Sequence, residues 1–180
     1  MRRAVVLLLA LAACGGTASY SGPDDGEEVY VVGDSLLVEA WDDVRAAMPD
    51  ARLAAHKERG KGTPWAADRL QRQVDRSPPD VAIVAIGTND WPSGISREED
   101  EAYRDVVRTL GRVPCAIWVT PAERFAHIAD RIASVAEGTA VHVARWEGRP
   151  EWYVSDGVHH TPEGSEAYAR FIAEARRTAC

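Results

Sequence analysis

The chain has 180 residues and a formal net charge of −7, with 46% hydrophobic and 27% charged residues. That is enough for one domain with a real core and too short for two comfortable ones. An acidic surface repels nucleic acid and anionic lipid headgroups, so neither is expected as a primary partner.

Residues 1–13 read as an export signal, with Arg2 and Arg3 ahead of the apolar run AVVLLLALAA. A permanent membrane span needs about 20 apolar residues, and this run is too short. It ends in Leu11-Ala12-Ala13-Cys14, which resembles the bacterial lipobox, where cleavage falls before the cysteine and that cysteine is acylated. An ordinary secretory peptide is the alternative. Either reading exports the protein, and acyl chains on Cys14 would anchor it to a membrane of the cell envelope. Cys115 and Cys180 then remain, and an even pair in an exported protein suggests one disulfide. Residues 14–28 are Gly, Ser, Pro and acid with little to bury, so they read as a flexible tether ahead of a domain at 29–180.

From Val29 onward strand-like and helix-like stretches alternate. Strands are predicted at 29–32, 51–55, 81–86, 115–119 and 140–143. Helices are predicted at 36–48, 64–74, 98–110, 124–136 and 162–177. The run VAIVAI at 81–86 is apolar on both faces, as a central parallel strand must be. Five strands alternating with helices imply right-handed crossovers and a three-layer α/β/α fold around a mostly parallel sheet. Sites in such sheets lie outside the carboxyl ends of the strands. The loops to inspect are therefore 33–35, 56–63, 87–94 and 120–123, and the segment after the fifth strand.

Four chemically loaded segments fall there. Gly33-Asp34-Ser35-Leu36 puts a serine where a helix begins, beside free backbone N–H groups. A lone serine at such a place is usually a helix cap. Gly87-Thr88-Asn89-Asp90 offers an uncharged amide that suits an oxyanion, or a plain turn. HKERGKGT at 56–63 supplies glycines that let a backbone N–H approach a bound oxygen. It is not a Walker loop, because Lys61 is followed by Gly62 rather than Ser or Thr. In Asp156-Gly157-Val158-His159 a carboxylate three residues from an imidazole can hold its Nε2 toward a nucleophile. His159-His160 lacks companion ligands at metal spacing, so no metal and no cofactor is expected.

Together and in this order, these blocks resemble the SGNH hydrolases, also called GDSL esterases and lipases, over about residues 29–178. The resemblance implies a flavodoxin-like five-stranded parallel sheet. It implies Ser35 as nucleophile, His159 as general base and Asp156 as its orienter. The oxyanion donors it implies are the Ser35 and Gly60 N–H groups and the Asn89 side chain, with Gly62 able to replace Gly60 if the loop registers two residues later. Trp65, Trp91 and Trp152 lie in or near site loops and either wall a substrate pocket or pack the loop bases. No lid or long insertion is visible, which favours short acyl or acetyl esters of small molecules or glycans. An acyltransferase acting on a glycan hydroxyl, and a non-catalytic surface binding lipoprotein, are the other readings. A monomer is expected.

Overall fold

The computed structural model describes residues 18–90 and 96–180. The leader at 1–13, Cys14 and Trp91 lie outside the described residues. The strands are β1 (Glu27–Gly33), β2 (Ala51–Lys57), β3 (Val81–Ala85), β4 (Cys115–Val119) and β5 (His142–Ala144). They pair in the order β2-β1-β3-β4-β5, every pair parallel. The helices between them are α1 (Ser35–Ala47), α2 (Thr63–Arg76), α3 (Arg97–Leu110) and α4 (Ala126–Ala136), with α5 (Pro162–Ala179) closing the chain. This is the expected three-layer α/β/α fold.

Side chains alternate across a strand, so a strand that is apolar at every position feeds two cores. Val29 and Val31 of β1 join Ile83 and Ile117 in a core under α1 and α5. Tyr30 and Val32 join Val84 and Trp118 in the opposite core, under α2, α3 and α4. With both faces covered, the loops after β1, β2 and β3 carry Ser35, Gly60 and Asn89 to the carboxyl end of the sheet. Cys115, which opens β4, is bonded to Cys180 at the end of α5, bearing out the expected disulfide. Among the described residues no helix is long and apolar enough to cross a membrane.

The element boundaries fall within two residues of expectation, and two differences at the start of the domain have a physical cause. β1 begins at Glu27, two residues early, because its acids are neutralised from elsewhere. Glu28 pairs with Arg52 at 2.7 Å and Glu27 with Arg176 at 2.8 Å. The tether expected over 14–28 is also corrected for its described part. Ser21 bridges antiparallel to Leu53 through hydrogen bonds of 2.9 and 2.8 Å, and Tyr20 packs at the core under α2, α3 and α4, beneath the Arg52 guanidinium. The edge strand β2 has unpaired backbone groups on its outer side, and this segment satisfies two of them.

Candidate active site

Gly33 ends β1 where the chain turns into α1. A Cβ there would stand 2.7 Å from the Leu37 Cβ and 2.8 Å from the Ala85 carbonyl oxygen, so only glycine lets the turn approach β3 this closely. The helix cap is Asp34, not Ser35. Its Oδ1 accepts from the Leu36 N–H at 3.0 Å. With capping done by its neighbour, Ser35 is the first helical residue and its hydroxyl is left for other use.

That hydroxyl meets His159. Ser35 Oγ lies 3.1 Å from His159 Nε2, and His159 Nδ1 lies 2.8 Å from Asp156 Oδ2. An ionised carboxylate only accepts, so Nδ1 carries the proton and Nε2 is the acceptor for the Ser35 hydroxyl. The Asp156 carboxyl is lowered to about 2, first by the His159 hydrogen bond and then by the Val158 and His159 N–H groups. Those two N–H groups reach its Oδ1 at 2.7 and 3.0 Å. Asp156 therefore stays ionised through the neutral range.

Asn89 sits after β3 and joins three loops. Its Nδ2 donates to Asp34 Oδ2 at 3.3 Å and to the Lys61 carbonyl at 3.1 Å. Asp90 beside it turns inward, accepting from the Thr63 N–H at 2.8 Å and the Thr63 hydroxyl at 2.6 Å, and so pins the start of α2. One residue of the pair faces the site and the other builds the wall behind it. Asp34 is 1% exposed, and burial pushes its carboxyl up to about 7, with the nearby Asp90 charge adding to the rise.

The glycine loop keeps two candidates. Gly60 is exposed at its tip with φ of 72°, and Gly62 precedes Thr63 as the α2 cap residue, where a Cβ would stand 2.6 Å from Asp90 Oδ1. Among the described residues neither N–H donates a backbone hydrogen bond.

Trp65 and Trp152 both pack against neighbouring side chains. Trp152 stacks on the buried Trp146 at 5.5 Å, and the Arg149 guanidinium lies 5.1 Å over its ring. Trp65 packs at the core beneath α2 with Arg69 over its ring at 5.8 Å. A cavity of about 310 Å³ does adjoin the Asp156 loop, lined in part by Ala122, Arg124, Pro150, Tyr153, Val154 and Gly157. Neither Trp65 nor Trp152 is among its described lining residues. The sequence reading missed Asp34 as the cap, although an Asp ahead of a helix start is an ordinary signal for one. It also missed Arg124, one residue beyond a loop singled out for inspection.

The two adjacent histidines face different ways. His160 is buried among the rings of Trp146, Tyr153 and Tyr168, and neither ring nitrogen has a partner among the described residues. Burial lowers it to about 4 from 6.5. A histidine held neutral stabilises the fold fully above the unfolded value, and that contribution fades as pH falls from 6.5 toward 4. Between pH 7 and 4.5 the loss is about 2–3 kcal/mol. Urea unfolding at both pH values is expected to show a smaller loss for His160→Phe than for the unsubstituted protein.

No family model matches the chain. An arylesterase of Vibrio mimicus is 25% identical over 202 residues, covering 94% of this chain and 96% of the relative. Among solved structures, an acetylxylan esterase of Geobacillus stearothermophilus matches with a TM-score of 0.67 and 17% identity, covering 83% of this chain and 94% of that one. A putative acylhydrolase of Bacteroides fragilis matches at 0.68 and 15%, over 88% and 91%. A GDSL-like lipase of Bacteroides thetaiotaomicron matches at 0.67 and 16%, over 86% and 89%. The structural likeness fixes the fold, and the esterase relative matches nearly end to end. In its fold, its motif blocks and that near end-to-end likeness to an esterase, the chain is similar to hydrolases of the SGNH, or GDSL, type.

Proposed function

We propose that the chain is a serine carboxylester hydrolase working through an acyl-enzyme on Ser35. The observation that carries the reading is the unbroken line of contacts from Ser35 Oγ through His159 to Asp156, 3.1 and 2.8 Å long. In the acetylxylan esterase, catalytic mutants replace an aspartate and a histidine three positions apart, the spacing of Asp156 and His159 here.

Ser35 Oγ attacks the ester carbonyl carbon while its proton passes to His159 Nε2. Asp156 holds the resulting imidazolium, and the tetrahedral oxyanion takes hydrogen bonds from the Ser35 N–H, a glycine N–H at 60 or 62, and Asn89. The C–O bond to the alcohol breaks as His159 returns the proton to the leaving oxygen. Water, deprotonated by His159, then attacks the acyl-enzyme and releases the acid and free Ser35.

Asn89 Nδ2 is directed between the Ser35 and glycine loops, and to meet an oxyanion it exchanges one of its two present acceptors, Asp34 Oδ2 or the Lys61 carbonyl, for the substrate oxygen. Asn89→Ala is expected to lower kcat by about 10²–10³ while the fold survives, since removing one oxyanion donor costs roughly 3–4 kcal/mol of barrier. Unchanged turnover with a folded protein would remove Asn89 from the mechanism.

Substrates with short acyl groups, acetyl among them, on small molecules or glycans suit a site with no lid segment apparent in the sequence. The names of the arylesterase and acetylxylan esterase relatives agree with that class. Hydrolysis of p-nitrophenyl acetate, butyrate and octanoate by residues 15–180 tests it. Rates falling with chain length support the reading, and a preference for octanoate contradicts it. The address at the amino terminus completes the proposal: export, cleavage before Cys14, and a lipid anchor on that cysteine. Mass spectrometry of the membrane fraction would show the acylated Cys14 peptide, or an unmodified secreted chain if the alternative holds.

A further inference from the structure

The turn carrying Asp156 and His159 is largely self-contained. Asp156 Oδ1 takes the Val158 and His159 N–H groups, the Gly157 N–H donates to the Val154 carbonyl at 2.8 Å, and the Val154 N–H donates to the His159 carbonyl at 2.9 Å. These bonds fix the shape of the turn. They do not by themselves fix where it stands relative to Ser35.

Its outer corner is held from another loop. Arg124, in the short 3-10 turn after β4 (Glu123–Phe125), donates from Nη1 to the Asp156 carbonyl oxygen at 2.8 Å. The same nitrogen lies 2.6 Å from where a Cβ of Gly157 would be, and Gly157 has φ of 66°. The position between acid and base is thus a bare left-handed corner with a guanidinium packed against it. The guanidinium is planar and lies 5.4 Å over the Phe125 ring, which gives it a set direction that a flexible ammonium would lack. Asp156's carboxylate oxygens are taken up by Val158 and His159, so the arginine works through the backbone carbonyl and not by pairing with the acid.

We infer that Arg124 is a positioning residue, clamping the Asp156 carbonyl so that the Asp156–His159 pair keeps its register over Ser35. The inference rests on the esterase reading above. Misplacing a catalytic group by about 1 Å can cost about 100-fold in rate. A group that only positions the base alters kcat and leaves substrate binding nearly untouched.

The test compares Arg124→Ala, Arg124→Lys and Gly157→Ala with the parent protein on p-nitrophenyl acetate, each checked for an unchanged thermal transition. Arg124→Ala is expected to lose about ten- to hundred-fold in kcat with KM within about twofold. Added ethylguanidinium should restore part of that rate, because it can refill the space left by the side chain. Arg124→Lys should fall between the two, since it keeps a cation without the planar fork. Gly157→Ala should lower kcat as well, by pushing the guanidinium off the corner. The proton on His159 Nδ1 gives a readout independent of turnover: its downfield NMR resonance should be sharp in the parent and broadened by exchange in Arg124→Ala. An unchanged kcat with an unchanged resonance would overturn the inference and leave the esterase reading standing. A loss carried entirely by KM would make Arg124 a substrate contact and overturn it as well. A parent protein without turnover would count against the esterase reading, and the resonance would still decide whether Arg124 holds the turn.

Discussion

Replacing Ser35 with alanine is expected to lower ester turnover by about 10⁴–10⁶-fold while barely changing stability. The first half follows from the role of the hydroxyl. Without Oγ there is no acyl-enzyme, and the histidine, the oxyanion donors and the binding surface are left to assist water alone. The second half follows from the local structure. Asp34, not Ser35, caps α1, and alanine is the best helix former for the position Ser35 vacates. The hydroxyl's hydrogen bond is to His159, whose ring is still held by Asp156. Initial rates on p-nitrophenyl acetate, with thermal unfolding of both proteins, measure the two halves separately. A variant that keeps a tenth of the parent rate would remove Ser35 as nucleophile. A variant that unfolds would show that the hydroxyl is structural.

The second large effect is on stability. Cys115 and Cys180 are 65 residues apart in sequence, and their bond joins the first residue of β4 to the last residue of the chain. Closing a loop of that length restricts the unfolded chain by about 4 kcal/mol in the entropic account. The bond also holds the end of α5, whose Tyr168 and Ile172 are buried in the core beneath α1. The paired substitution Cys115→Ser/Cys180→Ser is expected to lower unfolding free energy by about 2–4 kcal/mol, read from urea titrations. Reductant should bring the parent protein to the same midpoint and leave the variant unmoved. A difference under about 1 kcal/mol would mean that α5 is held by its packing alone. The Asp156–His159 loop precedes α5, so the folded variant should still turn over ester.

Much of this architecture can be read from the sequence because the physics is local. A strand such as VAIVAI, apolar at every position, has to be covered on both faces, and five strand-like runs separated by helical stretches leave few topologies. The candidate site could be picked out because sites in parallel α/β sheets lie outside the carboxyl ends of the strands, and the four loaded segments follow β1, β2, β3 and β5. What could not be read depends on distant partners. Glu27 and Glu28 look like tether residues until Arg176 and Arg52 neutralise them. Ser21 has no strand character of its own, and it pairs because the outer edge of β2 needs covering. Trp152 was open to two readings because stacking on Trp146 is a tertiary fact. The choice between Ser35 and Asp34 as cap turned on one hydrogen bond, from the Leu36 N–H. Arg124 carried no signal, since an arginine after a strand is ordinary until its guanidinium is seen on the Asp156 carbonyl.

As a nucleophile made reactive by His159, Ser35 should be singled out by a reagent that acylates or phosphonylates activated serines. Reaction with a fluorophosphonate, followed by intact mass and peptide mapping, tests it without knowledge of the natural ester. One adduct per chain is expected, carried by Ser35, absent from Ser35→Ala and formed far more slowly in His159→Ala. A folded protein that takes no adduct, or takes it on another residue, would contradict it.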